Sequence, residues 1–202
     1  MDTIEQTQLP LLGAALAGGF YAGQIRVGEE FFALIVSPKA TGEHKRIEWA
    51  KDLKLVDGAR SFFDGLANTQ AMAEHGSALA DWAIGLRIAD HADWYLPSRD
   101  ELELCYRNLK PTTKENYFRR GDNPSSVPVG YAYSLEVPFQ TAAEGFKADE
   151  PEAFDESWYW SSTQSAGRSA CAWVADFSDG LQGSGHKDGA CRSRAVRRLV
   201  IR

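Results

Sequence analysis

Three cysteines, Cys105, Cys171 and Cys191, and four histidines, His44, His75, His91 and His186, are the residues of this 202-residue chain best suited to bind a metal or attack a substrate. Their spacing supports neither role. The cysteine count is odd and no Cys-x-x-Cys occurs, so neither a disulfide framework nor a zinc knuckle is indicated. Cys105 falls on an expected helix. Cys171 and Cys191 could face one another across neighbouring strands as two free thiols. No histidine stands in a His-Glu-x-x-His pattern, and there is no Gly-x-Ser-x-Gly elbow. His91, with Asp90 and Asp93, reads as a polar turn. Four glycines lie between Gly180 and Gly189, but no helix start follows them to receive a phosphate. These residue types point away from an enzyme, a metal site or any cofactor.

Recognition chemistry is better represented. Trp158-Tyr159-Trp160-Ser161-Ser162-Thr163 and Cys171-Ala172-Trp173-Val174-Ala175-Asp176-Phe177-Ser178-Asp179-Gly180 alternate large aromatics with small polar residues. The aromatics are suited to fix a core, and the polar residues to make turns and exposed surface. A binding surface is expected over the last forty-five residues, with the rest of the chain as its scaffold.

Composition sets the bounds. Hydrophobic content of 44% and charged content of 25% are those of an ordinary globular domain. The net charge of -6 argues against a general nucleic-acid binder. From Gln164 onward, seven Lys or Arg outnumber three Asp. The late arginines are therefore expected to pair with acids elsewhere in the fold, the other reading being a basic face for an anionic ligand. The apolar run Leu9–Phe20 follows Asp2 and Glu5 and precedes the first basic residue, Arg26. It lacks the positive start of a secretory signal and is too short to span a bilayer. No membrane insertion and no secretory signal are expected.

The elements that must position this surface read as follows. Residues 1–19 form an irregular or partly helical leader, a candidate oligomer contact. Residues 20–202 form the domain proper. Phe20–Val27 and Phe31–Ser37 make a hairpin around Gly28-Glu29-Glu30. Pro38–His44 reads as a polar loop, and Ile47–Val56 is ambiguous between helix and strand. A helix capped by Asn68 runs from Thr69 to about Leu86, or splits into two at Gly76. Ser98-Arg99-Asp100-Glu101 is a capping box that opens a second helix to about Leu109, with Leu102, Cys105, Tyr106 and Leu109 as its buried stripe. Residues 110–157 form a long insert without a period, in which Tyr131–Val137 could be a strand. Arg194–Ile201 is a last strand.

Three of these pieces, Trp94-Tyr95-Leu96-Pro97-Ser98-Arg99-Asp100-Glu101-Leu102, Tyr159-Trp160-Ser161-Ser162, and Ala172-Trp173 with Phe177-Ser178-Asp179-Gly180, resemble the bacterial and phage DUF1566 domains when followed by Arg194-Ala195-Val196-Arg197. Those domains are similar to C-type-lectin folds and to the variable proteins of diversity-generating retroelements. The resemblance implies an α+β, C-type-lectin-like fold, with two helices packed on small twisted antiparallel sheets. It implies a phage tail-associated protein of the virion, made in the bacterial cytoplasm, that meets a host-surface or other macromolecular ligand through its C-terminal face. It also implies a homo-oligomer or contacts with tail proteins. Trp160, Trp173 and Phe177 would be scaffold. Gln164, Ser165, Arg168, Asp176, Ser178, Asp179, Gln182, Ser184, His186 and Asp188 would be display positions, open to diversification. The calcium motifs of sugar-binding lectins are missing, Glu150-Pro151-Glu152 being the nearest match. A structural component of a tail or surface assembly is the alternative. Formylglycine-generating oxidases share the broader fold and use a cysteine pair with copper, for which Cys171 and Cys191 are the only candidates.

Overall fold

A computed structural model describes residues 2–202. Its described residues form an α+β architecture of four α-helices and two curled sheets, with two short 3-10 turns. In chain order the elements of the first half are β1 (Thr3–Ile4), β2 (Ala15–Leu16), β3 (Gly19–Val27), β4 (Glu30–Val36), α1 (Lys39–Gly42), β5 (Glu43–Glu48), α2 (Gly65–Glu74), α3 (Ala78–Gly85) and α4 (Arg99–Leu109). The second half adds β6 (Ser126–Val127), β7 (Trp158–Gln164), β8 (Cys171–Asp176), β9 (Gln182–His186), β10 (Ala190–Arg194) and β11 (Val196–Ile201). None of the described helices is long and apolar enough to cross a membrane.

The expected hairpin is β3–β4, and it is the middle of the first sheet. The order there is β1-β11-β4-β3-β2, with β6 also on β3. Leu34, Ile35 and Val36 are fully buried on alternating faces, which is why that run carries no polar residue. The second sheet runs β5-β10-β7-β8-β9. The expected strand Arg194–Ile201 is in fact two strands in different sheets. Between them the Ala195 amide donates to the Gly42 carbonyl, and its own carbonyl accepts from Ser37. That clamp turns the chain out of one sheet and into the other.

The leader is not an isolated tail. β1 pairs in parallel with the last strand, Thr3 opposite Val200, and β2 pairs with β3. Ile4, Leu9, Leu16 and Ala17 pack on the cluster around Trp94 and Ile35. Leu11 and Leu12 are left exposed.

Of the two alternatives for the 69–86 segment, the split at Gly76 is the one found, and the Asn68 cap is corrected. Asp64 caps α2 and Ser77 caps α3, while Gly76 between them takes a left-handed φ of +83° that a β-carbon would strain. Asn68 lies inside α2, and its side chain is buried against the Ser61 backbone. The polar loop after Pro38 holds the single turn α1, and the ambiguous segment begins with the end of β5 and continues as coil. Tyr131–Val137 is not a strand; it is irregular chain held by scattered backbone bonds, such as the Asn116 amide to the Leu135 carbonyl and the Arg119 amide to the Tyr133 carbonyl, and by the Asn116 side chain.

The capping box at Ser98 forms as read, and it organises more than α4. One oxygen of Glu101 accepts from the Ser98 amide at 2.7 Å and from the first amide of α2, that of Gly65, at 3.1 Å. Its other oxygen takes the Tyr95 hydroxyl at 2.7 Å. The Pro97 carbonyl just before the box accepts from the Ser162 amide, and Thr163 accepts from the Arg99 amide. The Trp-Tyr-Leu-Pro-Ser-Arg and Tyr-Trp-Ser-Ser-Thr segments are thus two halves of one junction between helix and sheet.

The late arginines are internal struts. Arg194 and Arg197 are each 1% exposed. Arg194 binds Glu152 and the Ser37 carbonyl; Arg197 binds Asp93 and Asp2; Arg198 binds Asp64. Their charge is spent on acids brought from the insert, the leader and the α2 cap. It does not form a basic face.

Candidate ligand-binding face

The face is built where β8 and β9 meet the first turn of α4 and the insert. Trp173 stands opposite Ser184 on these strands, and Cys171 stands opposite His186. Side chains directly opposite share one face of a sheet. Arg99, first residue of α4, lies over this face. Its guanidinium carbon is 5.2 Å from the Trp173 ring centre and 5.0 Å from that of Phe62, while Phe62 meets Trp173 edge-on. Arg99 Nε donates to Gln182 Oε1 at 3.0 Å, and its Nη1 meets the buried Asp100 carboxylate at 3.3 Å.

The turn after β8 is rigid. Asp176 accepts from the Ser178 amide and Asp179 from the Leu181 amide, both at 2.9 Å. Gly180 has φ +77°, and a β-carbon there would strike the rings of Tyr106 and Tyr133. The Asp179 carbonyl receives the Tyr117 amide at 2.7 Å, which joins the turn to the insert.

The insert is held from beneath by α4. Glu103, 1% exposed, accepts from the Tyr133 hydroxyl at 2.7 Å and from the Asn123 amide at 2.6 Å, and it pairs with Arg107 at 2.9 Å. Burial pushes the Glu103 carboxyl up, and Arg107, Asn123 and Tyr133 pull against that. Arg107 also reaches the Gly121 and Tyr131 carbonyls. Asn116 uses both ends of its amide, accepting from Tyr106 and donating to the carbonyls of Ser134, Leu135 and Pro138. The bonds from Arg107 and Asn116 to carbonyls fix backbone, those of Glu103 anchor the Tyr133 and Asn123 side chains, and neighbouring apolar side chains are left outside. Seven of the fifteen exposed large hydrophobics among the described residues fall between 117 and 139: Tyr117, Phe118, Val129, Tyr131, Leu135, Val137 and Phe139. Tyr131 is 81% exposed and Phe139 67%. The exposed apolar side chains of the described residues are thus concentrated in this stretch of the insert.

The ten expected display positions divide by environment. Arg168, Ser184, His186 and Asp188 are exposed, and Ser165, Asp176, Ser178 and Asp179 are half-buried. Gln164 and Gln182 are corrected to interior residues. Gln164 Oε1 accepts from the Val56 amide at 2.8 Å and from Lys187 Nζ at 2.6 Å, deep under the sheet. Gln182 holds Arg99. Of the three expected scaffold aromatics, Trp160 and Phe177 are buried, whereas Trp173 is partly open on the face itself. The cysteines of the oxidase reading lie on β8 and β10, with β7 between them, so they do not face each other. Cys171 is buried, and burial raises the half-buried Cys191 thiol to about 11. The aromatic surface of the insert was not foreseen; its signal was four aromatics, Tyr117, Phe118, Tyr131 and Phe139, outside any helical or strand period.

The order of these pieces along the chain decides the family. Residues 40–197 match the Lcl C-terminal domain. The chain belongs to the Lcl C-terminal domain family. The match begins in α1 and ends in β11, so it takes in the capping box, the insert and the whole candidate face. The family is related to DUF1566-type domains, in keeping with the motifs around Trp94 and Trp160. No curated protein matches the chain.

Proposed function

We propose that this member of the Lcl C-terminal domain family is a ligand-binding domain that changes nothing in its ligand chemically. The observation that carries the reading is the run of exposed apolar side chains at 117–139 on a backbone immobilised by Glu103, Arg107 and Asn116. A stiff frame loses little entropy when it binds, so its exposed aromatics can act as anchors. Along the β8–β9 hairpin and at its end away from the 177–181 turn, the exposed Arg168, Ser184, His186 and Asp188 are available for hydrogen bonds without serving the core, the division of labour used by antibody loops. In its finer form the reading places the domain on a phage tail, as a virion component recognising a macromolecule on a bacterial surface. Exchangeable residues at those four positions would suit a retroelement-diversified surface.

Binding of the labelled protein to a panel of intact bacterial strains tests this. For a strain that binds, the double substitution Tyr131→Ser with Phe139→Ser is expected to weaken binding at least about tenfold, the loss of two aromatic anchors. The melting temperature should stay within a few degrees, because both rings are exposed. Unchanged binding by the folded variant would refute the aromatic face as the contact.

A further inference from the structure

We propose that the hollow formed by Tyr117, Phe118, Arg119 and Arg120 binds a phosphate monoester carried on a flat ring. The two guanidiniums take the phosphate, and the exposed aromatics take the ring that bears it. This rests on the reading of residues 117–139 as the ligand-binding surface, and it names the chemistry of the group bound at one end of that surface. The four residues are all exposed and line an open hollow of about 330 Å³. The Tyr117 and Phe118 rings lie 27° from parallel with centres 6.5 Å apart, and the Arg119 guanidinium carbon is 5.2 Å from the Phe118 ring centre.

The backbone is bent and fixed to produce this ladder of two rings and a cation. Along an extended chain, neighbouring side chains point to opposite sides. Arg119 departs from that with a φ of +67°, which residues other than glycine seldom adopt, and the bend brings its guanidinium back beside the preceding ring. The strained residue is held by its neighbour across the insert. Its amide donates to the Tyr133 carbonyl at 3.2 Å, and the Tyr133 amide donates to the Arg120 carbonyl at 2.6 Å. Tyr133 is itself buried and tied to Glu103. Backbone strain supported in this way clusters at ligand-binding sites.

Charge selects the ligand. Arg99, Arg107, Arg192, Arg194, Arg197 and Arg198 each pair with a carboxylate. Among the described residues Arg119 and Arg120 do not. The acids nearest in the insert face elsewhere: Asp122 is turned to Arg99 at 3.9 Å, and Glu115 and Glu136 line a different hollow with Leu135 and Phe139. Two adjacent unpaired cations are matched by a dianion. A phosphate monoester carries close to two negative charges at neutral pH, whereas a carboxylate or a sulfate ester carries one. Its oxygens also suit the forked N–H groups of guanidinium. The rings of Tyr117 and Phe118 add a platform for a planar group next to that anion.

Titration of the isotopically labelled full chain with phenyl phosphate, followed through amide chemical shifts at low ionic strength, tests the site. Localised shifts are expected at residues 117–121 and at Tyr133, with millimolar affinity. Phenyl sulfate has the same shape with one charge, and inorganic phosphate is the same anion without a ring. Each should bind at least about tenfold more weakly than phenyl phosphate. The double substitution Arg119→Gln with Arg120→Gln should weaken phenyl phosphate at least about tenfold. Its melting temperature should not change, because both side chains are exposed. The site is overturned by an absence of localised shifts, by equal affinity for phenyl sulfate or for inorganic phosphate, or by undiminished binding to the folded double variant. The assay needs no bacterial strain, so its failure leaves the Tyr131 and Phe139 test on intact cells standing, and failure on cells leaves this site measurable.

Discussion

Arg194→Met is expected to cost about 3 kcal/mol of stability, the lower end of what is lost when one member of a buried ion pair is removed. The guanidinium uses all three of its nitrogens. Nε donates to the Ser37 carbonyl at 2.9 Å, Nη1 to the Glu152 carbonyl at 2.7 Å and Nη2 to the Glu152 carboxylate at 2.6 Å. It is also 4.8 Å from the Phe154 ring centre. Methionine keeps the stem volume but leaves these acceptors under the sheet with one donor fewer each. The Glu152 carboxylate retains the Lys39 amide at 2.8 Å, which is why the loss is not larger. Chemical denaturation should show a lowered midpoint. Limited proteolysis should cut the variant first near residues 144–156, where the insert rejoins the sheets. Arg168→Met, at an exposed position, should change neither. A midpoint for Arg194→Met equal to that of the wild type would mean that the strut is dispensable.

The second large effect is a dependence on alkaline pH centred on Lys187. This lysine is fully buried, donates to the Lys54 carbonyl at 2.7 Å and to Gln164, and sits 4.5 Å from the Trp49 ring centre. Among the described residues no carboxylate forms a salt bridge with it, and burial pushes its pKa down to about 8 from 10.5. Below pH 8 the lysine is charged in both the folded and the unfolded chain, and the folded state carries the full penalty. Between 8 and 10.5 only the unfolded chain keeps the proton. Unfolding then binds a proton, so stability rises with pH across that window. Over pH 7.5 to 10 the gain from this one group is about 2 kcal/mol, from about 1.4 kcal/mol per pH unit of displacement.

Other groups act in the opposite sense over the same range. The buried thiol Cys105 and the half-buried Cys191 have raised pKa values, as do Tyr95, Tyr106, Tyr133 and Tyr159. The unfolded chain ionises first at each of these, which lowers stability as pH rises through about 9 and 10. The Lys187 contribution is therefore read as a difference. The stability of the wild type minus that of Lys187→Met should climb between pH 7.5 and 10. A flat difference would show that the lysine titrates like an exposed one.

What was legible in the sequence was whatever rests on near neighbours. The Ser98–Glu101 box closes over three residues, and the Gly28-Glu29 turn joins strands adjacent in the chain. Both follow from local geometry and appear where expected. Gln164 and Gln182 were misplaced because an amide side chain between turns looks solvated. Their partners, Val56 and Arg99, are 108 and 83 residues away, and no local pattern announces them. The break at Ala195 is hidden for the same reason. Arg-Ala-Val-Arg-Arg-Leu-Val-Ile reads as one strand, and only the remote Ser37 and Gly42 groups divide it. The arginines were half legible. Their excess predicted pairing with distant acids, but Asp2, Asp64, Asp93 and Glu152 could not be chosen from the many carboxylates available. The insert stayed unread because its order comes from side chains of α4, a helix whose buried Asp100, Glu101 and Glu103 break the usual rule that helical acids face water.

Hydrogen–deuterium exchange, run with and without the envelope fraction of a strain that the protein binds, tests the binding reading most directly. Protection is predicted at residues 117–139 and across the β8–β9 hairpin, with the amides of α2 and α3 unchanged. Protection confined to α2 and α3, with 117–139 exchanging as in the free protein, would contradict it.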